Sequence, residues 1–185
     1  PIERQVADAV DRARRAETGS LLVFLPGAGE IRRTETLLRE RISDPAVDIV
    51  ALYGALDAAV QDRAIAPARA GRRKVVLATS IAETSLTIEG VRVVIDSGLA
   101  RVPRYEPDVG LTRLETVRVS RAAADQRRGR AGRTAPGVCY RLWDEPQTGS
   151  LEAYTQPEIL SADLSSFLLD LAQWGEADPA RLAFL

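Results

Sequence analysis

The apolar residues of this sequence fall into short continuous runs separated by stretches with helical spacing. The runs and the turn residues around them predict five strands, at 21–25, 47–53, 74–79, 91–96 and 137–142. The helical spacing predicts helices at 2–18, 29–42, 58–68, 121–131 and 163–174, the last capped by Ser161. Strands that alternate with helices are typical of an α/β fold, a parallel sheet sandwiched by helices that binds ligands at the carboxyl ends of its strands.

The alternation breaks between residues 102 and 117. Extended segments at 101–104 and 111–119 flank a turn at 107–110, which predicts a β-hairpin inserted into the α/β frame. Gly175 and Pro179 then mark a boundary. We therefore expect one domain over residues 1–175, with 176–185 belonging to a linker or to the start of a following domain.

Composition excludes several kinds of site. The 185 residues include no histidine, so histidine-based metal sites and Ser–His catalysis are excluded, and we predict no metal site. The single cysteine, Cys139, cannot form an internal disulfide and fits a reducing cytoplasm, where we expect the protein to act. The apolar runs are too short to span a bilayer, so we expect no membrane partner. A chain that begins at Pro1 without methionine suggests part of a longer protein.

The net charge of −1 hides a basic block. Residues 101–133 contain nine arginines and only four acidic side chains. Such a block in an otherwise neutral chain points to a polyanion such as phosphate or nucleic acid. The alternative is a solvated, salt-bridged surface.

The stretch 126–133 carries the most specific pattern, Gln-Arg-Arg-Gly-Arg-Ala-Gly-Arg. Its two glycines let the backbone approach a ligand, and each guanidinium offers a fork of donors to phosphate oxygens. On a helix, Gln126, Arg130 and Arg133 would share one face, which could meet the γ-phosphate of a nucleotide across a cleft. The alternative is an Arg/Gly-rich surface helix that binds RNA non-specifically or stays solvated.

A second stretch, residues 78–89, is rich in serine and threonine and follows a predicted buried strand. Thr79 and Ser80 should therefore lie at the carboxyl end of the sheet, where hydroxyls and free backbone amides can hold one backbone phosphate without reading the base. The alternative is an ordinary Ser/Thr-rich loop with helix caps.

Taken in order, these stretches resemble the second RecA-like lobe of superfamily 2 helicases. Residues 79–89 resemble motif V, 126–133 motif VI, 22–27 with 30–31 motif IV, and 52–56 with Gln61 motif IVa. DEAD-box relatives begin motif VI with histidine, so Gln126 and the inserted hairpin favour the DEAH/RHA class. Segments at 157–160, 163–166 and 171–175 are similar to its bacterial HrpB-type branch.

The resemblance implies roles residue by residue. Arg130 and Arg133 would act as arginine fingers, and Gln126 would help place the γ-phosphate and the attacking water. Thr87 and Glu89 would approach the nucleotide from the motif V side. Glu83 would organise the loop, and the hairpin would wedge against RNA bases, unless it only decorates the sheet edge. The residues expected to contact RNA are Thr79, Ser80, Gly27, Gly54 and Arg128.

Four positions depart from the family pattern. Ser80 replaces the usual asparagine and Glu89 the usual aspartate, and both keep hydrogen-bonding capacity. Arg128 stands where alanine is common, and it either adds phosphate affinity or reaches solvent. Ile65 stands where many eukaryotic relatives have an aromatic residue that stacks on the base, so hydrolysis of several nucleoside triphosphates is expected.

The sequence has neither a glycine-rich loop ending in Lys-Ser or Lys-Thr nor an Asp-Glu-x-His box. In this class both lie on the first lobe, where they hold ATP and Mg²⁺. We therefore expect the partners to be an N-terminal RecA-like lobe of the same chain and single-stranded RNA, with DNA not excluded. The chain alone should neither bind ATP tightly nor hydrolyse it.

Two alternatives stay open. The first is a non-catalytic helicase-like module that docks a nucleic acid or a protein. The second is an unrelated doubly wound domain, which would need an acidic cluster or a phosphate loop after its first strand. The chain has Pro-Gly-Ala-Gly-Glu there, at 26–30.

Overall fold

A computed structural model describes residues 1–84, 86–132, 135–176 and 178–182, without the side chain of Thr84. Its strands are β1 (Ser20–Phe24), β2 (Val47–Leu52), β3 (Arg73–Ala78), β4 (Val91–Asp96), β5 (Leu99–Glu106), β6 (Leu111–Arg118) and β7 (Val138–Arg141). Its α-helices are α1 (Ile2–Ala16), α2 (Ala28–Arg41), α3 (Ala58–Ile65), α4 (Ile81–Thr84), α5 (Arg121–Arg128), α6 (Glu145–Gly149) and α7 (Ser165–Trp174). Short 3₁₀ turns occur at Gly129–Ala131, Glu158–Leu160 and Pro179–Arg181.

Five strands form a parallel sheet in the order β2-β3-β1-β4-β7. β1 lies at its centre, with Leu21 paired to Val75 of β3 and to Val93 of β4. All five residues of β1 are buried, because helices cover both faces of the strand. The continuous apolar runs of the sequence therefore mark the middle of the sheet, and the predicted α/β fold is confirmed.

Alternate side chains of the strands build two separate cores. Leu21 and Val23 pack with α1 and α2 on one face of the sheet. Leu22 and Phe24 pack on the other face, with Ala64 of α3, Ala82 of α4 and Ala131. Parts of the segments that resemble motifs V and VI cover this second face.

β5 and β6 form a separate two-stranded sheet, which confirms the inserted hairpin. The chain divides into two compact units, one made of Pro1–Arg101 with Thr116–Thr155 and the other of Val102–Glu115 with Gln156–Leu185. The first unit holds the parallel sheet. Within the second, the backbone N–H of Tyr105 donates to the carbonyl of Ser161 at 2.9 Å. No helix among the described residues is long and apolar enough to cross a membrane.

Two local predictions are corrected. Ser161 does not cap α7, which begins four residues later, at Ser165, where the carboxylate of Asp163 accepts the backbone N–H at 2.9 Å. The helix predicted at 121–131 is α-helical only to Arg128 and then tightens into a 3₁₀ turn. That change of pitch redirects the side chains that follow Arg128.

Candidate functional site

The carboxyl ends of the parallel strands bring three sequence-predicted residues to one edge of the sheet. Gly27, Gly54 and Thr79 each follow the end of a strand, in β1, β2 and β3 respectively. The backbone N–H of Thr79 donates to the carbonyl of Leu52 at 3.2 Å, which ties the loop after β3 to the end of β2. Gly54 and Ser80 are exposed and Thr79 is half-buried, so this edge offers hydroxyls and a bare backbone to solvent.

Gly27 differs from the others because it is buried. A Cβ at this position would lie 2.7 Å from Nη1 of Arg101 and 3.0 Å from Oε2 of Glu30. Arg101 and Glu30 form an ion pair at 3.2 Å. The missing side chain at residue 27 thus makes room for that pair. Contact with RNA at Gly27 stays a prediction.

The segment that resembles motif V begins with a single helical turn, α4. The N–H groups of Ala82 and Glu83 donate to the carbonyls of Thr79 and Ser80, at 3.3 and 2.9 Å. Thr87, like Glu89, is exposed in the connection from α4 to β4. The two side chains predicted to approach a nucleotide are therefore accessible.

The helix that opens the motif VI segment is held at its start by Ser120. Its hydroxyl accepts the N–H of Ala123 at 3.2 Å, which satisfies a donor of the first turn. Gln126 and Arg128 are exposed, and Arg128 lies 3.6 Å from the carboxylate of Asp125. Arg133 lies outside the described residues.

The sequence predicts that Gln126 and Arg130 share one helical face. In the structure, Arg130 does not lie on the exposed face of Gln126. It sits in the 3₁₀ turn and is 8% exposed. Its Nε donates to the carbonyl of Glu83 at 2.8 Å, its Nη1 donates to the carbonyl of Leu86 at 3.0 Å, and its Nη2 also contacts the carbonyl of Glu83. In this structure the guanidinium therefore binds the motif V loop of its own lobe.

Arg127 was assigned no role from the sequence, yet it is the largest fully buried side chain in the part of the chain that the structure describes. Nε donates to Oε1 of Glu83 at 2.7 Å, and Nη1 donates to Oδ1 of Asp96 at 2.7 Å. Nη2 lies 2.7 Å from the same Glu83 oxygen, close enough for an ion pair but without hydrogen-bond alignment. These contacts tie Glu83 of α4 to α5, and its role in organising the loop stays a prediction. The sequence does contain a feature that indicates a buried cation, the acidic residue Asp96 at the end of an apolar strand. A carboxylate buried there needs a cation beside it.

Removing one partner of such a pair leaves an uncompensated buried charge and costs about 3–5 kcal/mol. Arg127 and Asp96 are both fully buried, so the pair is held away from water. The guanidinium also stacks over Phe24, 4.9 Å from the ring centroid. This cluster fixes α5 against α4 and the ends of β1 and β4.

Most arginines of the basic block are ion-paired. The pairs are Arg101–Glu30, Arg104–Glu115, Arg113–Glu106, Arg127–Asp96, Arg127–Glu83 and Arg128–Asp125. For the hairpin arginines, the structure supports the salt-bridged alternative to a polyanion site. Among the described side chains of the motif VI segment, Gln126 and Arg128 are exposed, and most of the Arg128 side chain lies in solvent.

The glycines around motif VI fall into two kinds. A Cβ built on Gly129 or Gly132 meets no described atom within 4 Å. A Cβ built on Gly137 would overlap the carbonyl of Ala131 and lie 2.8 Å from the carbonyl oxygen of Arg92. Gly137 is thus required by packing within the lobe, whereas Gly129 and Gly132 leave open space beside the backbone.

The family described as helicase conserved C-terminal domain matches residues 4–135. The chain is 52% identical over 180 residues to the ATP-dependent RNA helicase HrpB of Escherichia coli (strain K12), covering 97% of this chain and 22% of that protein. It is 42% identical over 172 residues to the pre-mRNA-splicing factor ATP-dependent RNA helicase DEAH10 of Arabidopsis thaliana, covering 90% of this chain and 24% of that protein.

The fold is also similar to a solved structure. The crystal structure of the Escherichia coli DEAH/RHA helicase HrpB matches all of this chain with a TM-score of 0.94 and 50% identity, over 23% of its own length. The chain thus spans less than a quarter of the length of these relatives. It belongs to the helicase conserved C-terminal domain family, as a second RecA-like domain of the DEAH/RHA class and of its HrpB-type branch.

Proposed function

We propose that this chain is the second motor lobe of an ATP-dependent RNA helicase. It would supply guanidinium groups for nucleoside triphosphate hydrolysis on a first lobe of the same protein, and part of a groove for single-stranded RNA. Relatives that share 52% and 42% of its residues are named ATP-dependent RNA helicases. The full-length protein would then couple hydrolysis to movement along RNA.

The observation that carries the proposal is the packing of the motif V and motif VI segments on one another. Arg127 and Arg130 join them, because Arg127 donates to the side-chain carboxylate of Glu83 and Arg130 donates to the carbonyls of Glu83 and Leu86. Around this junction Gln126 stays exposed and Gly129 has open space beside it among the described residues. An accessible amide beside a bare backbone suits the close approach of a triphosphate.

ATP bound to the first lobe would supply the phosphoanhydride bond that is cleaved. In this chain, Gln126 would orient the attacking water, with Thr87 and Glu89 on the other side of the nucleotide. Arg130 and Arg133 would stabilise the charge that develops on the transferred phosphoryl group. Mg²⁺ is assigned to the first lobe, because the Asp-Glu-x-His box is absent from this sequence.

The action of Arg130 on a phosphate requires an exchange of partners. Its donors now point at the carbonyls of Glu83 and Leu86, and these acceptors must be replaced by phosphate oxygens. Charge-assisted hydrogen bonds to phosphate are stronger than bonds to neutral carbonyls, so the exchange is favourable once the triphosphate is near.

RNA would bind at the carboxyl edge of the sheet. Ser80 and Gly54 are exposed there, and Thr79 is half-buried. Hydroxyls and backbone amides at this edge can hold phosphates without reading base sequence. Arg128, which keeps most of its surface in solvent, would add a positive charge.

The test is the ATPase rate of the full-length protein with and without single-stranded RNA. We expect Arg130→Ala to lower the RNA-stimulated kcat about 10³-fold, the scale of arginine-finger removal. Arg32→Ala, at an exposed position of α2, is the control and should leave the rate at the wild-type level. An unchanged rate in Arg130→Ala would remove the finger assignment.

The internal hydrogen bonds of Arg130 favour one second candidate, a non-catalytic helicase-like docking module. In that case Arg130 only shapes the motif V loop. The wild-type protein would then bind RNA but show no ATPase activity that RNA stimulates, and Arg130→Ala would weaken RNA binding alone.

A further inference from the structure

Arg127 joins four separate segments through one side chain. It lies in α5 and binds Glu83 of α4 and Asp96 at the end of β4, each at 2.7 Å. Nη1 also donates to the carbonyl of Leu99, the first residue of β5, at 3.1 Å. The ring of Phe24, at the end of β1, lies under the guanidinium. The guanidinium is shielded from solvent, because Arg127 is 0% exposed, while the Glu83 side chain is 15% exposed.

The joined segments lead to different parts of the proposed site. Glu83 lies four residues after Thr79, in the turn that begins at the RNA edge. Arg127 directly follows Gln126 on the nucleotide side. A displacement of α4 would therefore act on Arg127 and the backbone of α5, since separating Glu83 from the buried guanidinium leaves a charge less well compensated.

The cluster is poorly explained as a device for stability alone. It combines one guanidinium with two carboxylates, and Oδ2 of Asp96 has no hydrogen-bond partner among the described residues. Well-packed apolar side chains of similar volume often stabilise a core more than a buried ion pair does. The planar guanidinium of Arg127 adds a fixed geometry between α5, α4 and the end of β4, which the flexible ammonium of a lysine would not give.

We propose that Arg127 is a positioning residue that makes nucleotide hydrolysis depend on RNA. Binding of a phosphate at the loop after β3 shifts α4, and the Glu83–Arg127 contact passes the shift to Gln126 and to the following 3₁₀ turn. The proposal rests on the helicase function proposed above and adds to it the route by which the two ligands are coupled.

The experiment uses the full-length protein and polyadenylate as the single-stranded RNA. ATP hydrolysis is measured with and without RNA, RNA affinity by fluorescence anisotropy without nucleotide, and folding by the thermal midpoint. Arg127→Lys keeps the positive charge but loses the fork. We expect its RNA-stimulated increment to fall on the order of tenfold or more, because small misplacements of catalytic groups cost that much. Basal hydrolysis and RNA affinity stay at the wild-type level.

Glu83→Gln tests the same contact from its other side and keeps the shape of the side chain. It should show the same loss of stimulation, and the double variant should be no worse than Arg127→Lys, since both remove one interaction. Arg32→Lys, exposed on α2, is the matched control. If Arg127→Lys does not fold, Glu83→Gln carries the test.

Two results would overturn the proposal. One is full RNA stimulation in the folded Arg127→Lys or Glu83→Gln protein. The other is a parallel fall of the thermal midpoint, RNA affinity and basal hydrolysis, which would make Arg127 a structural anchor only. A wild-type protein without RNA-stimulated hydrolysis would instead refute the proposed function, and this is visible before any variant is made.

Discussion

Gly137 offers a sharp test of how the chain returns from motif VI to the sheet. It lies just before β7, where the backbone passes the carbonyls of Ala131 and Arg92. In the Gly137→Ala variant the new Cβ would overlap the first carbonyl and lie 2.8 Å from the oxygen of the second, whereas real Cβ contacts are essentially never closer than 3.0 Å. The neighbours are backbone atoms, so no rotamer change can relieve the overlap.

The structure sets the size of the effect. The chain segments must move apart, which strains the pairing of β7 with β4 and the bonds that Arg92 donates to the carbonyl of Pro136 at 3.2 and 3.0 Å. Overpacking of this kind typically costs 1–3 kcal/mol, and a backbone clash belongs at the upper end, about 3 kcal/mol. With an m-value of roughly 1–3 kcal/mol per molar urea, the unfolding midpoint should fall by about 1 M or more.

Gly129→Ala is the matched control, eight residues before Gly137, at a position with neither a positive φ nor a crowded contact. Its φ is −60°, which any residue adopts, and a Cβ there meets no described atom within 4 Å. The substitution should leave the urea midpoint unchanged or raise it, by the roughly 0.4–1 kcal/mol that a glycine-to-alanine change gives at a compatible site. In the full-length protein it should nevertheless slow RNA-stimulated hydrolysis, because the methyl group would occupy space proposed for the triphosphate.

Urea unfolding followed by circular dichroism separates the two variants. A Gly137→Ala protein with the wild-type midpoint would refute the packing argument. A Gly129→Ala protein that is both stable and fully active would refute the view that this glycine leaves room for a ligand.

Two further predictions concern pH. Burial, aided by the carboxylate of Asp96, raises the pKa of the Cys139 thiol from 9.0 to about 11. The folded chain then keeps a proton that the unfolded chain loses, so the free energy of unfolding should fall as pH rises from about 9 to about 11, and Cys139→Val should remove that part of the slope in urea titrations. A hydrogen bond from its own backbone N–H, and then Arg33, lower the pKa of Glu3 below 4.5. The stabilisation that the ionised Glu3 side chain contributes is therefore present above pH 4.5 and is lost as pH falls through the pKa of Glu3 in the folded protein. Glu3→Gln should be less stable than wild type at pH 7 and equal to it in acid. Equal stability at pH 7 would contradict this.

The central strands were predictable because a strand that is buried on both faces has apolar residues at consecutive positions. The prediction for 91–96 matches β4, and those for 21–25 and 74–79 differ from β1 and β3 by one residue at each end. The four-residue helix α4 and the five-residue α6 were not predicted, since elements so short carry too few residues for a periodic pattern. The cap of α7 was misassigned because several polar residues precede that helix, whereas its N-cap is Leu164, which makes no side-chain cap, and Asp163 accepts the N–H of Ser165 instead.

The parallel α/β frame, the inserted hairpin and the order of the helicase-like motifs could be read from the sequence alone, because each is encoded in residues that are neighbours along the chain. The directions of the Arg127, Arg128 and Arg130 side chains, by contrast, depend on the tertiary fold. Arg127, Arg128 and Arg130 stand within four consecutive residues, yet the first is buried in an ion cluster, the second is mostly in solvent and the third binds carbonyls of another loop. A local pattern places side chains on a helix, but which of them meets a carboxylate, a carbonyl or water depends on strands and loops that come from distant parts of the sequence.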